Sequence, residues 1–194
     1  MSKIKSAWEI ALEKTENISI DKEKLQRQEN VRRAMALAGG YLNYDEEMTA
    51  EKISQDWQAI KDLDGAREGL KKTVLQNLTL PNEKVLGDRY ERLTTLLGLL
   101  TDSSAAMSLM GQIVGLCKQY PDHQKQLMDQ LKAHFEPMLQ EKAAKLRAQY
   151  GQDVPVSLEN DQEFLKVAQQ QLDALAKQYN QSLDEAKSRL EEMI

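Results

Sequence analysis

Residues 93–117, with the sequence LTTLLGLLTDSSAAMSLMGQIVGLC, form the longest stretch of the chain that carries almost no charge. Asp102 is its only ionisable side chain before Cys117. Apolar residues recur at helical spacing on both sides of Thr101–Ser104, and small polar residues of this kind cap the starts of helices. The stretch therefore predicts a buried central helical hairpin over about residues 84–120, turning near Asp102.

A membrane-spanning helix is the alternative for this stretch, because its length is close to the thickness of a bilayer. Gly111 and Gly115 form a GxxxG pair, which allows two helix backbones to approach closely in membranes. Asp102 opposes this alternative, since a charge at the centre of a bilayer costs a few kcal/mol. We therefore expect a soluble hairpin in which the two glycines mark a tight contact between helices.

The composition of the 194-residue chain favours helix throughout, because it has only 9 glycines and 4 prolines. We predict an all-α protein, a multi-helix bundle of about seven to nine helices with a long C-terminal amphipathic helix. Residues 1–150 are expected to form the helical body, 151–157 a linker, and 158–194 a C-terminal amphipathic segment packed on that body. A single domain overall is the default expectation for a chain of this length.

Helix boundaries are predicted from residues that cap or break helices. Breaks are expected at Asn17–Asp21, at Gly39–Gly40, at Tyr120–Pro121, near Pro137 and at Asn180–Ser182. Thr49 is expected to cap a helix that carries Ile53 and Trp57 on its buried face.

A narrow apolar stripe follows the last segment at heptad-like spacing, and we predict that it is an interaction surface. Its members are Leu165, Leu172, Leu175, Tyr179, Leu183 and Leu190. The partner could be the protein's own bundle or another chain; packing on the body is favoured because the pattern is short for a free coiled coil. Four methionines add adaptable apolar surface: Met107, Met110, Met128 and Met138.

Two tyrosines, Tyr41 and Tyr44, stand beside the acidic run Asp45–Glu47 in the least regular part of the N-terminal half. They are candidates for an exposed recognition loop. The favoured alternative is that the rings pack inward while the acidic side chains face water.

The sequence contains none of the common catalytic or phosphate-binding motifs. We therefore predict a protein that is not an enzyme, with no catalytic residues and no cofactor. His123 and His134 are weak candidates for metal ligands, because they are spaced by about three helical turns. Two solvated histidines are the favoured interpretation, and no metal is expected.

The formal net charge of −5 opposes nucleic-acid binding, which uses a basic surface. The N-terminus has no signal-peptide pattern and Cys117 is the single cysteine, so a cytoplasmic location is expected. We predict a non-enzymatic cytoplasmic helical module for protein–protein interaction or scaffolding, with a protein partner or self-association. The alternatives are a bundle that binds a small apolar ligand or lipid, and peripheral membrane association through the N-terminal or central apolar helices.

Overall fold

The structure is a computed structural model that describes residues 8, 22–43, 47–82, 88–151 and 156–194 and, for residues 7 and 9–21, the backbone alone. These ranges contain helices and no strand, which confirms the all-α prediction. Their α-helices are α1 (Ala7–Leu42), α2 (Ala50–Gln58), α3 (Ala66–Asn77), α4 (Arg89–Leu100), α5 (Ser104–Tyr150) and α6 (Gln162–Glu192). The long α6 also confirms the predicted C-terminal helix.

The described ranges hold fewer α-helices than predicted because three helices continue through expected breaks. Those breaks are Asn17–Asp21 and Gly39–Gly40 in α1, Pro121 and Pro137 in α5, and Asn180–Ser182 in α6. Residues 17–21 contain no glycine or proline, and each weak helix former costs only about 0.7 kcal/mol or less. Because helix propagation is cooperative, such a small local cost does not end a long helix.

The two prolines within α5 are the larger departure, since a proline inside a helix costs about 3 kcal/mol. Side chains near both prolines pack on α6: the ring of Tyr120 contacts Tyr179, and the ring of Phe135 contacts Phe164. Tertiary packing of this kind offsets the local cost, and a reading of the sequence alone could not include it.

The described contacts divide the chain into two compact units. The first comprises Met1–Leu78, Gly87–Met107 and Glu191–Ile194, and the second comprises Thr79–Leu86 and Ser108–Leu190. The predicted linker at 151–157 stays a prediction, because residues 152–155 lie outside the described ranges. The antiparallel packing of α4 on α5 also stays a prediction, whereas the predicted order of helix, turn and helix around Asp102 is confirmed.

In the first unit, α3 approaches α1 closely at two glycines. Gly65, which precedes α3, has a φ of 84°, in the left-handed region that favours glycine. A Cβ added at Gly69 would lie 2.3 Å from the carbonyl oxygen of Val31 and 3.0 Å from the Cβ of Ala34. Glycine at position 69 is therefore what allows the backbone of α3 to lie against α1.

The tight contact expected at Gly111 and Gly115 is a wrong prediction. A Cβ added at either glycine meets no described atom within 4 Å. Gly111 is exposed and Gly115 is half-buried on α5, so this GxxxG pair lies on an open part of the helix surface. The spacing of four residues identifies small side chains on one face, but it does not show what lies opposite them.

Two predicted caps are confirmed in the first unit. The hydroxyl of Thr49 accepts a hydrogen bond of 3.2 Å from the amide of Lys52 at the start of α2. At the turn before α5, the hydroxyl of Ser103 accepts one of 3.3 Å from the amide of Ala106. Each bond satisfies an amide that has no partner within its own helix.

Tyr41 lies in the last turn of α1 and is 5% exposed, so it is not part of an exposed loop, and its ring packs inward as the favoured alternative predicts. The guanidinium of Arg92 lies 4.9 Å from the centre of the Tyr41 ring and donates a 2.7 Å hydrogen bond to the Tyr41 carbonyl. The Arg92 side chain therefore covers one face of the Tyr41 ring. Tyr44 lies outside the described residues.

Replacing Arg92 with alanine is expected to lower the free energy of unfolding by about 2 kcal/mol. The change removes the hydrogen bond to Tyr41 and the 2.9 Å ion pair with Asp88. Denaturant unfolding in a Trp8→Phe background, followed by the fluorescence of Trp57, checks this value. Arg92→Lys should recover only part of the loss, because lysine lacks the planar fork of donors. Full recovery by lysine would contradict the role given to the guanidinium.

In the second unit, α5 buries Met110, Ile113 and Cys117. The Sγ of Cys117 lies 3.9 Å from the carbonyl oxygen of Thr79, and the thiol is fully buried. Cys117 is therefore a core residue, as its position on an apolar helix face predicts.

Candidate interaction surface

Helices α5 and α6 pair in antiparallel orientation in the second unit. The ring centres of Tyr120 and Tyr179 are 5.0 Å apart, and those of Phe135 and Phe164 are 5.4 Å apart. Further along α5, the Nζ of Lys142 lies 2.7 Å from a carboxylate oxygen of Asp161. Residue numbers rise along α5 as they fall along α6, which fixes the antiparallel direction.

The predicted apolar stripe of α6 lies mostly inside the chain. Tyr179, Leu183 and Leu190 are buried, and Leu172 and Leu175 are half-buried. Leu165 is 48% exposed and is the most exposed residue of the stripe. The contact of Tyr179 with Tyr120 shows that part of the stripe packs on α5 of the same chain.

Phe164 takes the buried position at the start of α6 that the heptad pattern gave to Leu165. Its ring is 4% exposed and meets Phe135 edge to face, with an interplanar angle of 73°. The buried residues Phe164 and Ala168 are four residues apart, as are Tyr179 and Leu183. Eleven residues separate Ala168 from Tyr179. A repeat of eleven residues is close to three turns of a straight helix, and searching for it would have identified Phe164.

An aromatic cluster closes one end of the α5/α6 pair. Its buried members are Phe135, Phe164 and Ala168, and the half-buried residues packed against it are Met128, Leu131, Leu158 and Val167. This cluster gives the outer surface a rigid apolar floor.

A partly apolar surface lies over this cluster, and we name it the apolar end surface. It consists of Met138 and Leu139 with the charged residues Lys142, Asp161 and Glu163, and Leu165 is an exposed neighbour on α6. Met138 is 46% exposed and Leu165 is 48% exposed. A groove of about 100 Å³ separates α5 from the start of α6 and is lined by Phe135, Met138, Leu139, Lys142, Asp161 and Glu163. Leu165 is not among these lining residues, because it lies two residues after Glu163 and so points to another side of α6.

The carboxylate of Asp161 fixes the start of α6 beside α5. One of its oxygens accepts hydrogen bonds of 3.0 Å from the amides of Glu163 and Phe164, and the other binds Lys142. The hydrogen bond from Lys142, followed by that from the Phe164 amide, lowers the pKa of Asp161 below its ordinary value. The edge of the apolar end surface is therefore held by an ionised carboxylate at neutral pH.

The two histidines do not form a metal site with other described residues. His123 shares a hydrogen bond with the hydroxyl of Tyr179, while the ring of His134 lies 5.6 Å from that of Phe135. The rise along α5 separates the two histidines by about 16 Å, too far to bind one ion. No group of three potential metal ligands occurs in the parts of the chain that the structure describes.

Burial raises the pKa of the Tyr179 hydroxyl above its ordinary value. The fold therefore favours the neutral phenol, so this stability is present below the ordinary pKa near 10 and is lost as pH rises through it. We expect Tyr179→Phe to unfold at a temperature that falls less between about pH 9 and pH 11 than that of the wild type. Circular dichroism during heating measures this, and parallel curves for both proteins would contradict the assignment.

Two other surface grooves lie away from the apolar end surface. The larger, of about 620 Å³, lies at the end of α4, where Trp57 donates to the Leu99 carbonyl and Arg67 to the Leu100 carbonyl. These donors satisfy the end of a helix and so have a structural role. The second groove, of about 270 Å³, lies between Leu109–Leu116 and Ser182–Arg189.

None of the described helices is both long and apolar enough to cross a membrane.

Comparison with models of protein families finds a match over most of the chain. Residues 54–192 match a family of unknown function, DUF6657. No curated protein and no solved structure matches the chain. The matched residues begin within α2 and end at the last residue of α6, so they include the whole apolar end surface. Since the match covers well over half of the sequence, the chain belongs to the DUF6657 family.

Proposed function

We propose that the protein is a non-enzymatic helical module for protein–protein interaction or scaffolding, and that the α5/α6 pair is its binding element. The observation that carries the proposal is the exposure of Met138, 46%, on the groove that Phe135 of the Phe135/Phe164 cluster also lines. A rigid apolar floor with a charged rim is the usual design of a protein-binding surface. We place this activity in the cytoplasm, which suits a chain whose single cysteine excludes an intramolecular disulfide.

The chemistry of the surface favours a protein over a small molecule. Its groove has a volume of about 100 Å³, whereas pockets for small ligands usually measure about 300–1,000 Å³. Methionine adapts its shape to different apolar partners, so Met138 suits contact with a side chain of another protein. An apolar ligand is the weaker candidate, supported by the apolar floor of Leu109, Ile113 and Leu116 in the 270 Å³ groove.

Site-specific photo-cross-linking tests the proposal. A photoreactive amino acid at position 138 is expected to give a discrete protein adduct in the native cell. The matched control carries the same amino acid at position 63, because Leu63 is 38% exposed and lies in the other unit. The proposal fails if position 138 gives no adduct, or if both positions give the same set of adducts.

A further inference from the structure

We infer that the groove at the end of α4 is a binding site for a small organic anion, which Lys61 and Arg67 hold by charge. We name it the α4-end groove; α2, the residues between α2 and α3, the start of α3 and the turn after α4 line it. The inference is independent of the proposed function, because every lining residue belongs to the first unit, whereas the apolar end surface belongs to the second.

The size and the lining of the α4-end groove suit a small polar molecule. Its volume of about 620 Å³ lies within the range of about 300–1,000 Å³ that is usual for small-ligand pockets. Such pockets are mostly apolar, whereas this lining is mostly polar, and Ser54, Gln58 and Thr101 contribute hydrogen-bonding side chains. An apolar molecule would displace water from these groups without replacing its hydrogen bonds, so the lining selects a polar or charged ligand.

Two basic side chains line the groove without a carboxylate partner. Lys61 is half-buried in the turn after α2, and Arg67 lies in the first turn of α3. Among the residues that the structure describes, neither forms an ion pair. Arg27 of the same unit, by contrast, lies 2.8 Å from a carboxylate oxygen of Glu68. The positive charge of the groove is therefore available to a bound anion.

The charge of the lining also limits the charge of the ligand. Within the described lining, the positive charges of Lys61 and Arg67 and the negative charge of Asp102 leave a net charge of +1. The chain as a whole has a formal net charge of −5, so the groove is a positive concave site on an acidic protein. Because Asp102 repels a bound anion, a ligand with one or two negative charges fits better than a polyanion.

Arg67 is held in position for this role. Its Nη2 donates a hydrogen bond to the Leu100 carbonyl at the end of α4. This bond uses one of the five guanidinium N–H groups, so the others can bind a ligand. The planar guanidinium matches two oxygens of a carboxylate or a phosphate, and a guanidinium that is already fixed loses little freedom on binding. The ligand is therefore a small polar molecule that carries one of these two oxyanion groups.

Nuclear magnetic resonance of the isotope-labelled full chain tests the inference with two probes, inorganic phosphate and acetate. Each probe replaces chloride at constant ionic strength, so that general screening does not change. We expect at least one probe to shift the amide signal of Lys61 and the indole signal of Trp57 saturably, with a Kd of about 1 mM. Saturation by phosphate identifies a phosphate-bearing ligand, and saturation by acetate identifies a carboxylate-bearing one.

Three substitutions distinguish this site from general attraction between the protein and anions. Lys61→Gln should raise the Kd at least about tenfold, because it removes a charged hydrogen-bond donor. Lys72→Gln removes the same charge from an exposed lysine of α3 outside the groove, and it should leave the Kd unchanged. Asp102→Asn should lower the Kd about twofold, since it removes a like charge from the lining. Arg67 is kept, because it satisfies the end of α4.

Circular dichroism checks that each variant is folded, and the shifts then decide the inference. Signals that do not saturate with either probe up to about 100 mM overturn it. Equal effects of Lys61→Gln and Lys72→Gln overturn it as well, because the binding would then follow total charge. A higher Kd for Asp102→Asn would show that the bound probe does not lie beside this carboxylate, which also rejects the site.

Discussion

Gly69→Ala is expected to lower the free energy of unfolding of the first unit by about 3 kcal/mol. The added Cβ would lie 2.3 Å from the carbonyl oxygen of Val31, which belongs to the backbone of α1 and cannot turn away as a side chain would. Relief therefore requires α1 and α3 to separate, and this separation loosens the packing of the buried residues Ala34, Ala38 and Leu70 on these helices.

Gly98→Ala is the matched control for this change. Gly98 lies within α4 of the same unit, and a Cβ added there meets no described atom within 4 Å. Alanine is a better helix former than glycine, so this variant should gain about 0.5 kcal/mol. Replacing glycine with alanine is thus expected to lower the free energy of unfolding at position 69 and to raise it at position 98.

Unfolding in urea, followed by tryptophan fluorescence in a Trp8→Phe background, measures both effects. Trp57 is then the only tryptophan, and it is 2% exposed within the first unit. Its signal reports this unit even if the two units unfold separately. A Gly69→Ala variant as stable as the wild type would show that α1 and α3 do not approach as described.

Trp57→Ala is expected to destabilise the first unit by about 4 kcal/mol, the largest effect predicted for a single side chain. The indole is 2% exposed, and its Nε1 donates a 2.9 Å hydrogen bond to the Leu99 carbonyl at the end of α4. The substitution therefore leaves a cavity between α2 and α4 and removes the partner of a helix-end carbonyl.

Trp8→Ala is the internal control, because Trp8 is 75% exposed. We expect this variant to differ from the wild type by less than about 0.5 kcal/mol. Heating followed by circular dichroism compares the two variants without depending on tryptophan emission. Equal losses for both would contradict the burial of Trp57, and no loss for either would contradict its packing between α2 and α4.

Features that depend on a few neighbouring residues could be predicted from the sequence. The hydroxyls of Thr49 and Ser103 both cap helices as expected, because a cap needs only the amides two or three residues further on. The helical class followed from composition and spacing for the same reason.

Features that depend on what lies opposite a residue could not be predicted. The two GxxxG pairs, Gly65–Gly69 and Gly111–Gly115, are equivalent in spacing, yet only the first pair meets another helix among the described residues. Tyr41 packs inward, as the favoured alternative predicted, but the sequence did not identify Arg92, 51 residues along the chain, as its partner. Local propensity carries no information about such distant partners.

The candidate surface was located only in part. Leu165 and Met138 were both named from the sequence, but the stripe on α6 placed Leu165 toward the partner helix and missed Phe164. A shift of one residue moves a side chain by about 100° around a helix. The sequence could therefore identify the segment while assigning the wrong residue to the buried face.

The burial of Cys117 has a practical consequence for labelling experiments. Its thiol is fully enclosed, and no second cysteine exists in the chain. Accessible thiolates attack maleimide reagents, so a cysteine introduced on the outside would react far faster than the native one. A spin label or dye could then be attached at one chosen position in the otherwise wild-type protein, and its spectrum would report the surroundings of that position.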